Sequence, residues 1–341
     1  MTKEQSKLLK GLAVSLLLLY HAVALQDCIT MAPIIRTIVK NTGNICVAIF
    51  AFITVYGLTM KLKDTPDLLK PKNYFRFVKE RLLKLYKSYW PAFIVGFAVA
   101  AIRQIYFMLQ GDDKPVLYEI YGSGVKSVIR GVINFFGLSH AVYGDDLYTL
   151  NQTWWYMSLA ILLVILTPLC VQLCKRAFIG TLVGTIAIAV LVPVKYTGYL
   201  PLIVFAVGAA MYDEKEKTAL ELVFSIFMCF VWGCFRVFLP DKYSALTDSL
   251  AIYSIITALL WVLSVLPKWL KTGVGYIGKH SANIFYLHSF LYVYWPTSIF
   301  FYLLHYGTLV WPVLMASSIG LSVLLEYGKR KVHWNEWKLW A

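Results

Sequence analysis

The chain has 341 residues, of which 59% are hydrophobic and only 15% charged, and its mean hydropathy is +0.66. A soluble domain carries about 25% charged residues, so the composition excludes an ordinary water-facing globule and puts most of the chain in lipid. The apolar runs are long and do not alternate, which excludes a β-barrel, and the net charge of +14 collects in alternate loops, which argues against a nucleic-acid partner.

In chain order, runs long enough to cross a bilayer as helices fall near residues 8–25, 44–60, 88–109, 153–173, 177–194, 198–212, 219–239, 249–266, 282–304 and 307–327. The expectation is an all-α integral membrane protein, a polytopic bundle of about ten transmembrane helices. The first run follows lysines, as a secretory leader would. It has no small-residue cleavage site after it and it contains His21, so it reads as a retained span.

The loops between these spans sort into two sets. Residues 61–87 hold nine basic side chains against Asp64, Asp67 and Glu80, a net charge of +6. Residues 110–152 hold Lys114, Lys126 and Arg130 against Asp112, Asp113, Glu119, Asp145 and Asp146, a net charge of −2. The positive-inside rule then places both termini in the cytoplasm and 110–152 outside. The longest loop has about 42 residues, near the lower limit for a domain that folds alone. The chain 1–341 therefore reads as a single transmembrane domain whose helices and loops must do any chemistry. Its six cysteines lie mostly in apolar runs. Cys170 and Cys174 stand at i, i+4 without histidines, so they read as core residues, and no metal site is expected.

Lys10 and His21 stand in the first span. Eleven positions apart, they differ by only about 20° around an α-helix and by roughly 16 Å along it. One face therefore presents a cation at the cytoplasmic border and an imidazole deeper in the membrane, where ionisable groups are costly and usually functional. A histidine bonded within the bundle and a lysine that merely snorkels form the alternative.

The pair Lys10-x10-His21 resembles the R/K-x10-H signature of membrane acyltransferase family 3, in the span where that family carries it. Further blocks follow in the family's order. VAIFAFITVYG (47–57) is similar to its FFxxSG-type block, and FVKERLLKLYKSYW (77–90) to its FxxxRxxRxxPxY-type block. TWWYMSL (153–159), running on to Pro168, resembles its WFL…P span, and IGKHSANIFYLH (277–288) its LGxxSxxxYLxH block. Departures are Lys84 in place of the second arginine, Lys87 in place of the proline, and Tyr56-Gly57 in place of SG. Lysine binds phosphate as a point charge without the bidentate fork of arginine.

The resemblance implies an integral membrane O-acyltransferase, with acetyl-CoA or another acyl-CoA as donor substrate and no permanently bound cofactor. It implies a hydroxyl of a cell-surface polysaccharide or lipid-linked sugar as acceptor, and the bacterial plasma membrane with its lipids as the setting. CoA is a polyanion, so its phosphates need a basic cytoplasmic site. Lys10, Arg76, Lys79, Arg81 and Lys84 are expected to supply it, with Phe75, Val78, Leu82 and Leu85 burying the other face. Anchoring to anionic lipid is the competing reading of this cluster. His21 is expected to act as general base, a transient acyl-His21 being the other route.

His288, Trp154, Trp155, Asp145 and Asp146 are candidates for the acceptor side. The tryptophans read first as an aromatic belt and second as a platform for a sugar. His140 and Asp145 formally match an HxxxxD acyltransferase motif, but the loop is expected outside, away from CoA. A transporter or flippase of polyanionic or lipid-linked substrates is the alternative function. It calls for symmetric pairs of broken spans, which the sequence does not display.

Overall fold

The structure, a computed structural model, describes residues 1–24, 29–65, 67–111, 116–144, 148–194, 196–212, 218–293 and 303–340. Helices dominate, and among the described residues there is no strand, only an isolated bridge between Thr30 and Tyr306. Helix α1 runs Lys3–Leu19 and continues as a π turn, Tyr20–Ala24; then come α2 (Pro33–Thr42), α3 (Ile45–Leu62) and α4 (Pro71–Leu109). Short helices α5 (Val116–Tyr121), α6 (Gly124–Phe135) and α7 (Ser139–Tyr143) lead to α8 (Trp155–Leu191), α9 (Leu200–Tyr212), α10 (Ala219–Phe238) and α11 (Ser244–Val265). The last are α12 (Lys268–Tyr292) and α13 (Gly307–Lys331).

Among the described residues, seven helices are long and apolar enough to cross a membrane, and the short apolar Thr197–Tyr212 adds an eighth segment below that length. Two of the ten expected spans lie in one helical stretch, Gln152–Leu191. That stretch breaks at Ala177 (φ −153°, ψ 77°), at the end of the short loop expected at 174–176. The expected ninth span, 282–304, begins within α12, and residues 294–302 lie outside the described set. Helix α4 has 39 residues, a length of about 58 Å against a hydrocarbon core of about 30 Å. Its apolar second half matches the expected span 88–109, and its basic first half extends beyond it.

The chain divides into two compact units. The first comprises Met1–Val78, Leu162–Ser281 and His305–Trp311; the second comprises Lys79–Ile161, Ala282–Leu304 and Pro312–Ala341. In the first, α3 is the central helix, buried on nearly every side and packed by α1, α9 and α11. The hairpin α10–α11 closes the unit, and the outer face of α10 leaves Phe224, Phe227 and Phe230 between 58% and 70% exposed. Such contiguous apolar exposure marks a surface facing lipid.

The second unit has a neutral polar core. The Tyr89 hydroxyl donates to the Asn134 carbonyl (2.7 Å), and the Tyr121 hydroxyl donates to Asn134 Oδ1 (2.7 Å). Asn134 Nδ2 donates to Thr149 Oγ1 (2.8 Å), and Asn151 Nδ2 and Trp154 Nε1 both donate to the Tyr286 carbonyl (3.1 and 3.0 Å). The Tyr89 ring meets Trp154 and Tyr286 edge-on at 5.1 and 5.6 Å. Buried polar atoms cost little only when partnered, and these are.

Candidate active site

Helix α1 starts on a capping box, Thr2 with Gln5, which satisfies two of the backbone N–H groups left open at a helix start. Leu8, Leu9, Ala13, Val14, Leu17 and Leu18 are buried against the unit, while Lys10 is half-buried. Beside Lys10, the backbones of α1 and α12 touch. A Cβ on Gly11 would lie 2.0 Å from the Val274 carbonyl oxygen, and one on Gly278 would lie 1.9 Å from the Lys7 carbonyl oxygen. Two glycines thus allow a close helix crossing of the kind membrane bundles use. The structure brings together the first-span signature and the IGKHS block of the sequence at this crossing.

At its other end α1 widens into the π turn that carries His21. A π turn adds a residue to the hydrogen-bonded ring and is concentrated at functional sites. Each step within it turns the helix less than 100°, so over the single step from Tyr20 the offset between Lys10 and His21 changes by less than about 20° and the two stay on one face. The turn is held from two directions. Trp311 Nε1 donates to the Ser15 carbonyl (3.1 Å), one turn before the widening, and Gly307 packs near Val23. On the other side the Tyr20 ring lies directly on Gly43, where a Cβ would sit 2.4 Å from Cδ2. His21 itself is half-buried, its ring 5.3 Å from that of Tyr20.

The expected donor-site cations divide. On the continuous helix α4, Arg81 and Lys84 stand about 60° apart, as do Arg76 and Lys79, but the two pairs point to nearly opposite sides. Arg76, Lys79 and Lys84 are exposed and Arg81 is half-buried. Phe75 does not join a buried face; it is 68% exposed, whereas Val78, Leu82 and Leu85 are half-buried. Lys87, at the family's proline position, donates to the Asn335 carbonyl (3.0 Å) and lies 5.9 Å over the Trp340 ring. Trp334 Nε1 returns a bond to the Lys87 carbonyl (2.9 Å). The C-terminal tail thus ties down the end of the basic segment.

The acceptor-side residues fare differently from one another. Trp154 is 2% exposed and belongs to the neutral core. A buried indole is not a border anchor, so the structure corrects the belt position for this residue. Trp155 is half-buried with its ring 5.9 Å from that of His140. His288 is fully buried, and its Nδ1 lies 3.0 Å from both the Ile284 and Phe285 carbonyls. Two carbonyl acceptors require Nδ1 to carry the proton, which leaves Nε2 as the lone-pair nitrogen of the neutral ring. Asp145 and Asp146 lie outside the described residues. Among the described residues, no three His, Cys, Asp or Glu side chains come together as a metal site would require.

A buried ionic pair joins α10 to α11. Arg236 Nε lies 3.5 Å from Asp248 Oδ1, with the two side chains 6% and 1% exposed. Trp232 Nε1 donates to the same oxygen (2.8 Å), and Arg236 Nε donates to the Asn41 carbonyl (2.8 Å). The signal was available, because Arg236 sits inside an apolar run and Asp248 at the edge of another, where ionisable residues are rare.

An all-α chain with several apolar helices and a histidine-bearing π turn in its first helix defines a multi-pass membrane protein with a candidate catalytic imidazole. The model of the acyltransferase domain of acyltransferase family 3 matches residues 5–327, nearly the whole chain, and the protein belongs to that family of membrane acyltransferases. No curated protein and no solved structure matches it.

Proposed function

We propose that the protein transfers acetyl from acetyl-CoA to a hydroxyl of a cell-surface polysaccharide or lipid-linked sugar, with His21 as general base. The observation that carries this reading is the placement of His21 on a π turn, on the same face of α1 as Lys10, in a chain of this family. The setting is a bacterial plasma membrane crossed ten times, with both termini and the basic half of α4 in the cytoplasm. Lys10 on α1, and Arg81 and Lys84 on one side of α4, are each assigned to the CoA phosphates. Arg76 and Lys79, on the other side, meet anionic lipid headgroups.

In the reaction, His21 Nε2 removes the proton of the acceptor hydroxyl as its oxygen attacks the thioester carbonyl. The tetrahedral intermediate collapses with cleavage of the C–S bond, and the imidazolium returns the proton to the departing thiolate. The products are an O-acetyl ester and free CoA. His288, Trp155, Asp145 and Asp146 are assigned to the acceptor side.

Purified protein supplied with radiolabelled acetyl-CoA and membrane-derived glycan lipids provides the test. The reading requires label to enter the glycolipid fraction with release of CoA thiol, and both to disappear in His21→Ala. Labelling that persists at the wild-type rate in His21→Ala removes His21 from the mechanism. A folded wild-type protein that consumes no acetyl-CoA rejects the donor.

A further inference from the structure

The buried pair Arg236–Asp248 has no part in the mechanism above, yet its contacts lead to the catalytic turn. Arg236 lies near the end of α10 and Asp248 in the second turn of α11. The Asn41 carbonyl that receives Arg236 Nε belongs to the last turn of α2, where carbonyls have no partner within the helix. A cation at a helix C-terminus also suits the helix dipole. Directly after that turn comes Gly43, on which the Tyr20 ring rests. Tyr20 is the first residue of the π turn and the neighbour of His21. Helix α2 packs against both that turn and α10.

The arrangement is a chain of fixed contacts. Trp232 orients Asp248, Asp248 orients Arg236, Arg236 holds the end of α2, and α2 holds Tyr20. Mere stability is a poor reason to keep such a pair. Desolvation of two buried charges offsets most of their attraction, and apolar replacements of similar volume are often as stable. We propose that Arg236 and Asp248 are positioning residues which, through α2, set the orientation of the His21 ring for proton transfer. The link to proton transfer rests on the acyl-transfer reading; the link to the His21 ring does not.

The test uses the full-length protein in lipid nanodiscs as wild type, Arg236→Met/Asp248→Leu, Asp248→Asn and Arg236→Lys. Diethyl pyrocarbonate modifies accessible neutral imidazoles, and peptide mass spectrometry then gives the rate at His21. His333, which is 72% exposed, serves as the internal standard. The proposal expects the His21 rate to shift about fivefold in the double variant and in Asp248→Asn, with His333 unchanged. It expects kcat for acetyl-CoA to fall about 10²-fold, as small misplacements of a reacting group do, with KM for acetyl-CoA held. Arg236→Lys, which keeps a cation and a donor for the Asn41 carbonyl, should restore part of kcat.

An unchanged His21 rate in the folded double variant overturns the proposal. Should that variant fail to fold, Asp248→Asn decides on the same rate. A parallel fall of kcat and melting temperature in every variant, with the His21 rate constant, also overturns it and leaves the pair a structural strut. A shifted His21 rate in a protein whose wild type releases no CoA sinks the acetyl-transfer reading and leaves the positioning link standing.

Discussion

The two units differ in the polar groups they bury. The first holds a charged pair, a half-buried histidine on a π turn and a half-buried lysine beside a glycine crossing. The second holds, beside the buried His288, an uncharged lattice in which Tyr89, Tyr121, Asn134, Asn151, Trp154 and Tyr286 bond to one another or to backbone. Residues of the family's sequence blocks occur in both. Motif membership therefore does not separate chemistry from packing. The electrostatic character of the surroundings does, because a satisfied neutral network rigidifies whereas an ionisable group in an apolar span is retained for function.

The sharpest way to break this contrast is His21→Ala. It should lower acetyl transfer by about 10²–10⁴-fold while the melting temperature of the purified protein stays at the wild-type value. A large loss of stability in place of turnover would put His21 in the same structural class as Tyr89. Next in size, Gly278→Val drives a side chain into the Lys7 carbonyl. It should destabilise the protein by about 1–3 kcal/mol, read as a lower midpoint in thermal unfolding. Because the crossing lies beside Lys10, KM for acetyl-CoA should rise as well.

A smaller effect falls on the donor alone. Lys84→Ala should raise KM for acetyl-CoA about tenfold, the value of one charge-assisted contact, and leave kcat near wild type. Lys84→Arg should lower KM by restoring the fork. The same changes at Lys79, on the other side of α4, should move KM little. Smallest is Tyr89→Phe, which removes the hydroxyl bonded to the Asn134 carbonyl. It should cost about 1 kcal/mol of stability with kcat unchanged; a selective loss of kcat would carry catalysis into the neutral network.

Much of the architecture was legible in the sequence, because hydropathy reports burial in lipid directly. The first run gave α1, the break between the fourth and fifth runs reappears at Ala177, and the lysine-rich stretch became the first half of α4. Rotational detail was less legible. The stripe of Phe75, Val78, Leu82 and Leu85 was read from period alone, and burial depends on which neighbours are present, so Phe75 stays exposed. The Lys10–His21 relation survived because a π turn displaces one step only slightly. The π turn itself could not be seen, since Trp311 and Gly43, distant in sequence, shape it through contacts with Ser15 and Tyr20. Trp154 looked like a border residue because its sequence position is terminal to a span, and only the Tyr286 carbonyl reveals why it is inside.

A density map of the protein with CoA bound is the most direct measurement. The account predicts phosphate density against Lys10, Arg81 and Lys84 and the thiol end of the pantetheine arm within about 3–3.5 Å of the imidazole of His21, the separation of a reactive pair. A map with the arm ending elsewhere, and the His21 ring enclosed by side chains with no passage to the bound nucleotide, would contradict it.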